Sequence, residues 1–236
     1  YEPILTLQAP FFEAQLLETA ILCVLNHQTL IATKAARLCQ NTDAKIMEFG
    51  LRRAQGPDAG IYGARAAYIG GCRSTSNVLA GQMFGIPVKG THAHSWVMSF
   101  PDELTAFRAY AELYPEGCML LVDTYDTLKS GVPNAIKVFD ELKQKGYKPL
   151  GIRLDSGDLA YLSKEARKML DDAGHSDCII CVSNDIDEQV LLSLKAQDAK
   201  IDLFGIGTRL ITSYDAPSLG GVYKLCAIGE KGKLVP

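Results

Sequence analysis

Apolar positions along the chain follow two periods that trade places. Residues 13–39 contain no Pro or Gly, and Leu16, Leu17, Ala20, Ile21, Val24, Leu25, Leu30 and Ile31 recur there at helical spacing over more than one face. This predicts one long helix buried on several sides. Residues 1–9, before it, alternate enough to predict a strand closed by Pro10. After it, short apolar runs predict strands at 45–49, 86–89, 118–122, 149–154, 178–182 and 202–206, and amphipathic stretches predict helices at 61–69, 76–84, 101–114, 133–145, 159–173 and 188–196. Gly70, Gly71 and Gly85 read as helix stops, Ser74 or Thr75 as the cap of the 76–84 helix, and Ser99 as the cap of a helix opened by Pro101. The run 118–122 is apolar throughout, as expected of a parallel strand covered on both faces. A hairpin-like pattern closes the chain, and both ends read as cuts through a longer protein.

Strands joined by single helices run parallel, because right-handed crossovers return each strand to the same edge. The stretches following the strands therefore gather on one face. They hold Arg52, Arg53, His92, His94, Asp123, Asp126, Arg153, Asp155, Asp185, Thr208 and Arg209. Reactive groups at the carboxyl ends of parallel strands, with a strand-helix repeat of roughly thirty residues, predict an irregular TIM-like (β/α) barrel, the alternative being an open doubly wound sheet. With 236 residues and no internal linker, one domain is expected.

Composition narrows the partners. A chain that is 47% hydrophobic and 22% charged can bury a core, and a net charge of -3 without a basic run argues against nucleic-acid or membrane-surface binding. Seven cysteines, an odd number scattered over helices and strands, read as reduced thiols of a cytoplasmic protein. Cys178 and Cys181 have redox spacing but lie inside an apolar strand, which favours burial over function.

Three groupings carry candidate chemistry. Gly205-Ile206-Gly207-Thr208 permits close approach of backbone N–H groups to a phosphate, although it lacks the Lys and third Gly of the nucleotide motifs. Arg153 and Asp155 project to one side of an extended chain. The pair suits either an internal ion pair or the holding of a carboxylate, phosphate or metal. His92 and His94 could share a metal, but the other two histidines, His27 and His175, are placed too far along helices to complete a ligand set. His94, flanked by Thr91 and Ser95, is the better nucleophile toward phosphorus, and His92 suits the scaffold.

Seven segments together resemble nicotinate phosphoribosyltransferases, of the type II phosphoribosyltransferases: LLETAILCVLNHQTLIATKAA at 16–36, EFGLRRAQGP at 48–57, SNVLAG at 76–81, GTHAHSWVMSF at 90–100, VDTYDT at 122–127, RLDSGDL at 153–159 and GIGT at 205–208. The resemblance implies a transferase that joins nicotinate to 5-phosphoribosyl 1-diphosphate in NAD biosynthesis, with Mg2+ as cofactor and with ATP hydrolysed through a phosphohistidine. It implies that His94 is the phosphorylated residue, that Asp123 and Asp155 are catalytic carboxylates and metal ligands, and that Arg153 binds the pyridine carboxylate or its surroundings. It further places Phe49 and Arg52 in the pyridine pocket, Thr91 and Ser95 beside the substrate, Asp185 at the ribose, and Gly205, Gly207 and Thr208 around the 5-phosphate. Members of that family are longer and dimeric. The resemblance thus makes the chain a barrel domain lacking an N-terminal domain that contributes an aromatic residue across a homodimer interface, and further C-terminal segments. A nicotinamide-using relative or a non-catalytic phosphate-binding fragment are the alternatives. No acid lies at 74–77 to accept from an amide, which favours nicotinate.

Overall fold

Strands form where β-branched and apolar residues run without interruption, and here they do so at the carboxyl side of successive helices. The computed structural model describes residues 2–230 and 233–235. Its main sheet holds β1 (Lys45–Glu48), β2 (Ser74–Thr75), β3 (Met119–Leu121), β4 (Gly151–Leu154), β5 (Ile179–Asn184) and β6 (Leu203–Ile206). They are ordered β2-β1-β6-β5-β4-β3, and every pairing is parallel. A separate antiparallel hairpin joins β7 (Ile228–Glu230) and β8 (Lys233–Val235).

The period of two divides the sheet chemically. Ile46, Leu120, Ile152, Leu154, Ile180, Val182, Phe204 and Ile206 face the helices and form the main core with Leu38, Phe107, Phe139 and Leu170. Met47, Met119 and Cys181 pack with Phe49, Ile179 and Leu203 in a small cluster on the opposite face. That second face turns polar toward the strand ends, where Arg153 and Ser183 lie two residues beyond Gly151 and Cys181.

The helices are α1 (Phe11–Gln40), α2 (Pro57–Ile69), α3 (Val78–Phe84), α4 (His94–Met98), α5 (Glu103–Leu113), α6 (Val132–Gln144), α7 (Leu159–Asp172), α8 (Glu188–Ala196) and α9 (Thr208–Ile211). Aspartates cap three of them, Asp102, Asp158 and Asp187 each accepting a backbone N–H three residues on. The cap of α5 is thus Asp102 rather than Ser99, and Asn77, accepting from Ala80 N–H, caps α3 because Ser74 and Thr75 are drawn into β2.

Three further expectations change. Residues 2–9 form no strand. The long helix buries only its carboxyl half, at Leu30, Ile31, Lys34, Ala35 and Leu38, whereas Phe11, Phe12, Leu16 and Val24 stay exposed. Residues 86–89 contribute a single parallel bridge, Thr75 to Val88, because Pro87 has no N–H to extend a ladder. The same segment then reaches the far edge of the sheet, where the His92 imidazole Nε2 accepts the Leu121 backbone N–H at 3.2 Å. Residues 87–92 therefore span from the β2 edge to the β3 edge.

Candidate active site

At the carboxyl ends of the strands, Arg153 is the hub. Its Nε donates to Ser183 Oγ at 2.7 Å, Nη1 to Thr91 Oγ1 at 2.8 Å and Nη2 to Asp155 Oδ1 at 2.8 Å. Its guanidinium also lies 5.5 Å from the centre of the Phe49 ring. Strand alternation puts Arg153 and Ser183 on one face, so the ends of β1, β4 and β5 and the 87–92 segment meet at one side chain. Of five guanidinium N–H groups these contacts occupy three, which leaves one on each terminal nitrogen.

Asp155 shares Oδ1 between Arg153 and the Ser183 hydroxyl, and its Oδ2 has no hydrogen-bond partner among the described residues. Asp123 differs. Its Oδ1 meets His94 Nε2 at 3.0 Å, and its Oδ2 accepts from Asp155 N–H at 2.7 Å and Ser156 Oγ at 2.6 Å. With its side chain 1% exposed, that carboxylate is enclosed by three hydrogen-bond partners. His94 opens α4, is 38% exposed, and has only Nε2 engaged, so Nδ1 is the open ring nitrogen.

His92 does something else. A backbone N–H only donates, so Nε2 must carry a lone pair and Nδ1 the proton, which points at Ala93 O, 3.4 Å away. Burial, opposed in part by that hydrogen bond, pushes its pKa down to about 4, and Arg153 and His94 add repulsion. His92 is a neutral strut between the sheet edges.

The glycine turn packs on Phe49. A Cβ on Gly205 would sit 2.6 Å from the Phe49 ring, and one on Gly207 would sit 3.1 Å from Phe49 O. Phe49 N–H donates to Ile206 O at 2.8 Å, which holds the two strand ends side by side. Thr208 begins α9 directly after Gly207. Arg52 stands exposed on a 3-10 turn, Leu51–Arg53, and Ser95 and Asp185 are also exposed. Asp185 follows Asn184, whose φ of 152° departs from the usual range of a residue with a side chain.

Arg153, Asp155, Asp123, His94, Thr91, Phe49, Gly205 and Gly207 thus form one contiguous constellation, and Arg52, Ser95, Asp185 and Thr208 follow its members along the chain. Two members went unread in sequence. Ser183 pairs in register with Gly205 across β5 and β6, two residues beyond the Cys181 partner of Arg153, and period-two spacing from Cys181 signals it. Ser156 lies inside the quoted 153–159 motif. Glu48 is a third case: 1% exposed, with Oε2 accepting from Thr75 Oγ1 at 2.6 Å and Oε1 from Gly50 N–H. Burial pushes its carboxyl above the ordinary range.

Other candidates fall away from this site. His175 pairs with Asp140 at 2.8 Å, His27 lies in α1, and among the described residues no three His, Cys, Asp or Glu converge on a point. Cys178 and Cys181 are buried thiols, pushed up to about 11 and about 12 by burial. The described residues do not preform a metal cage. A Mg2+ ion brought in on phosphates would need only one or two carboxylates; the open Oδ2 of Asp155 suits that demand, while Asp123, whose oxygens already accept from His94, Asp155 N–H and Ser156, lies one hydrogen bond away.

Fold and site define an α/β protein with a polar constellation centred on Arg153 at the carboxyl ends of parallel strands. Comparison makes the class particular: the chain belongs to the nicotinate phosphoribosyltransferase family, whose model matches residues 44–236. It is 58% identical over 235 residues to a nicotinate phosphoribosyltransferase of Bacillus subtilis, covering 99% of this chain and 48% of that protein. A solved human nicotinic acid phosphoribosyltransferase superposes with a TM-score of 0.78 at 36% identity, covering 84% of this chain and 51% of the other. A solved nicotinate-nucleotide pyrophosphorylase of Pyrococcus furiosus gives 0.71 at 28%, covering 83% and 50%. The chain spans about half the length of the curated relatives it matches.

Proposed function

We propose that the protein carrying this chain transfers the phosphoribosyl group of 5-phosphoribosyl 1-diphosphate to nicotinate, giving nicotinate mononucleotide and diphosphate in NAD biosynthesis. The observation that carries this reading is Arg153, held by Ser183, Thr91 and Asp155, flanked by the Phe49 ring and keeping two free N–H groups. Such an arrangement offers a flat aromatic carboxylate an end-on pair of charged hydrogen bonds beside an aromatic face. Arg52 adds positive charge at the rim. Gly205, Gly207 and Thr208 receive the 5-phosphate, where missing side chains expose backbone N–H groups. Asp185 faces the ribose.

In the transfer, the pyridine nitrogen forms a bond to the anomeric carbon as the carbon–oxygen bond to diphosphate breaks. Positive charge develops on the ribosyl ring, so carboxylates at Asp155 and Asp123 stabilise it and no strong base is needed. Asp155 would hold a Mg2+ ion carried by the diphosphate, and such an ion would supply charge neutralisation for the leaving group.

ATP coupling uses His94. Because Nε2–H donates to Asp123, the lone pair sits on Nδ1, and that atom attacks the γ-phosphorus of ATP as the bond to the ADP oxygen breaks. Asp123 acts as the orienting carboxylate. Thr91 and Ser95 supply hydroxyls beside the substrate. Phosphate on His94 changes the relative binding of substrates and products, which gives ATP a thermodynamic lever.

The segment 87–92, running between the two sheet edges, supports closure of the sheet as an irregular (β/α) barrel. The exposed apolar residues of α1 support burial against further chain in a homodimer. Free thiols at all seven cysteines fit a cytoplasmic location.

The test incubates the full-length protein with 5-phosphoribosyl 1-diphosphate, Mg2+ and either nicotinate or nicotinamide, with and without ATP. Mononucleotide from nicotinate, little from nicotinamide, and an acid-labile phosphate absent in His94→Asn are expected. Binding without product would reject the transferase reading, and label persisting on His94→Asn would reject the role of His94.

A further inference from the structure

Glu48 is a carboxylate in the wrong layer. Strand alternation places it on the helix-facing side of β1 with Ile46, among the apolar residues of the main core, and no Lys, Arg or His pairs with it among the described residues. Burying a carboxyl there costs stability unless its hydrogen bonds repay it. Both oxygens are in fact used. Oε1 accepts the Gly50 N–H and Oε2 accepts the Thr75 hydroxyl, whose oxygen in turn accepts Asn77 N–H at 3.0 Å.

These bonds converge on the turn that leaves β1. Gly50 follows Phe49 and precedes Leu51–Arg53, so fixing its N–H fixes the direction in which the chain turns. The fit is tight: a Cβ on Gly50 would lie 2.3 Å from Ile211 Cβ and 2.8 Å from Glu48 Oε1. Ile211 belongs to α9, which starts at the glycine turn, so one side chain braces the β1 exit, the β2 end and, through Gly50, the α9 packing. On the opposite face of the same backbone, Phe49 covers Gly205 and flanks Arg153.

We infer that Glu48 is a positioning residue: from the helix side of the sheet it holds the Phe49–Gly50 turn, and through it sets the aromatic and basic walls that receive the pyridine ring. This inference rests on the pyridine reading of Phe49, Arg52 and Arg153. It touches no substrate itself. Glu48→Gln keeps an acceptor for Gly50 N–H and a similar shape, whereas Glu48→Ala leaves Gly50 N–H and the Thr75 hydroxyl buried and unpaired.

Two measurements on the full-length protein separate the outcomes. Hydrogen exchange of the peptide holding residues 49–53 reads the turn without any assumption about substrate. It is expected to speed up in Glu48→Ala, to stay near wild type in Glu48→Gln, and to leave strands β4 and β5 unchanged. Steady-state kinetics then read the walls: KM for nicotinate is expected to rise between about tenfold and a hundredfold in Glu48→Ala, with KM for 5-phosphoribosyl 1-diphosphate within about twofold and Glu48→Gln restoring most of the loss. Unchanged exchange at 49–53 would overturn the inference, whatever the substrate. Faster exchange with both KM values rising alike would also overturn it, because Glu48 would then support the whole fold. Faster exchange in a wild-type background that makes no nicotinate mononucleotide would instead sink the pyridine reading and the positioning role with it.

Discussion

At the scale of single residues, two histidines two positions apart end up with opposite chemistry because their surroundings differ. His94 projects toward solvent with one nitrogen on a buried carboxylate, and His92 is enclosed against Tyr110, 4.7 Å between ring centres, with its Nε2 accepting a main-chain proton. His-x-His spacing alone could not divide these roles; the partner of each ring decides. For His92 the consequence is a pH dependence of stability. Its pKa of about 4 in the fold lies below the 6.5 of a free histidine, so the unfolded chain binds the proton first. Stability from this residue is complete above about pH 6.5 and is lost as pH falls toward 4, a contribution of about 3 kcal/mol. Thermal unfolding followed from pH 7 to pH 4 is expected to show a steeper acid loss in wild type than in His92→Gln, whose amide oxygen accepts from Leu121 N–H but does not titrate. Parallel curves would refute the assignment of a neutral strut.

At the scale of elements, the turn after β6 works as one piece with the β1 exit. Phe49 needs both glycines, Gly205 for its ring and Gly207 for its carbonyl. Gly205→Ala is therefore expected to displace the ring, to lower unfolding free energy by about 1–3 kcal/mol and to raise KM for nicotinate, as measured by denaturant unfolding and steady-state kinetics. An alanine accommodated without either change would show that Phe49 is not packed as described. The elements also show where sequence reading succeeds. The run 118–122 was legible because a strand buried on both faces carries an unbroken apolar signal, 149–154 because Leu150, Ile152 and Leu154 alternate, and the face that Arg153 and Asp155 share followed from the period of two. Residues 86–89 carry a similar apolar signal, but Pro87 and the use of His92 as a hydrogen-bond acceptor replace a ladder with one bridge and one side chain. Ser74 and Thr75 read equally well as caps, and only pairing with Met47 and Glu48 makes them a strand.

At the scale of the whole molecule, the chemistry follows from topology. Parallel strands bring segments from positions 49, 91, 94, 123, 153, 183 and 205 to one edge, and the side chains that link them are polar because they lie past the apolar layer. Glu48 is the reverse case: an acid at the end of a strand looks like one more member of the polar edge, although its spacing of two from Ile46 puts it on the helix side, where Thr75 and Gly50 supply its hydrogen bonds. The first half of α1 is the other departure, since Phe11, Phe12, Leu16 and Val24 on a face read as buried stay exposed, with Leu219 and Tyr223 reaching that half of the helix. In the proposed transfer the phosphoribosyl donor lies across this edge, with its 5-phosphate at the glycine turn and its diphosphate between Asp155 and His94. The direct measurement is a crystal structure of the full-length protein with 5-phosphoribosyl 1-diphosphate and Mg2+. The 5-phosphate is expected against the backbone of residues 205–208, with the metal within bonding distance of Asp155 Oδ2. Phosphates bound away from both Gly207 and His94 would contradict it.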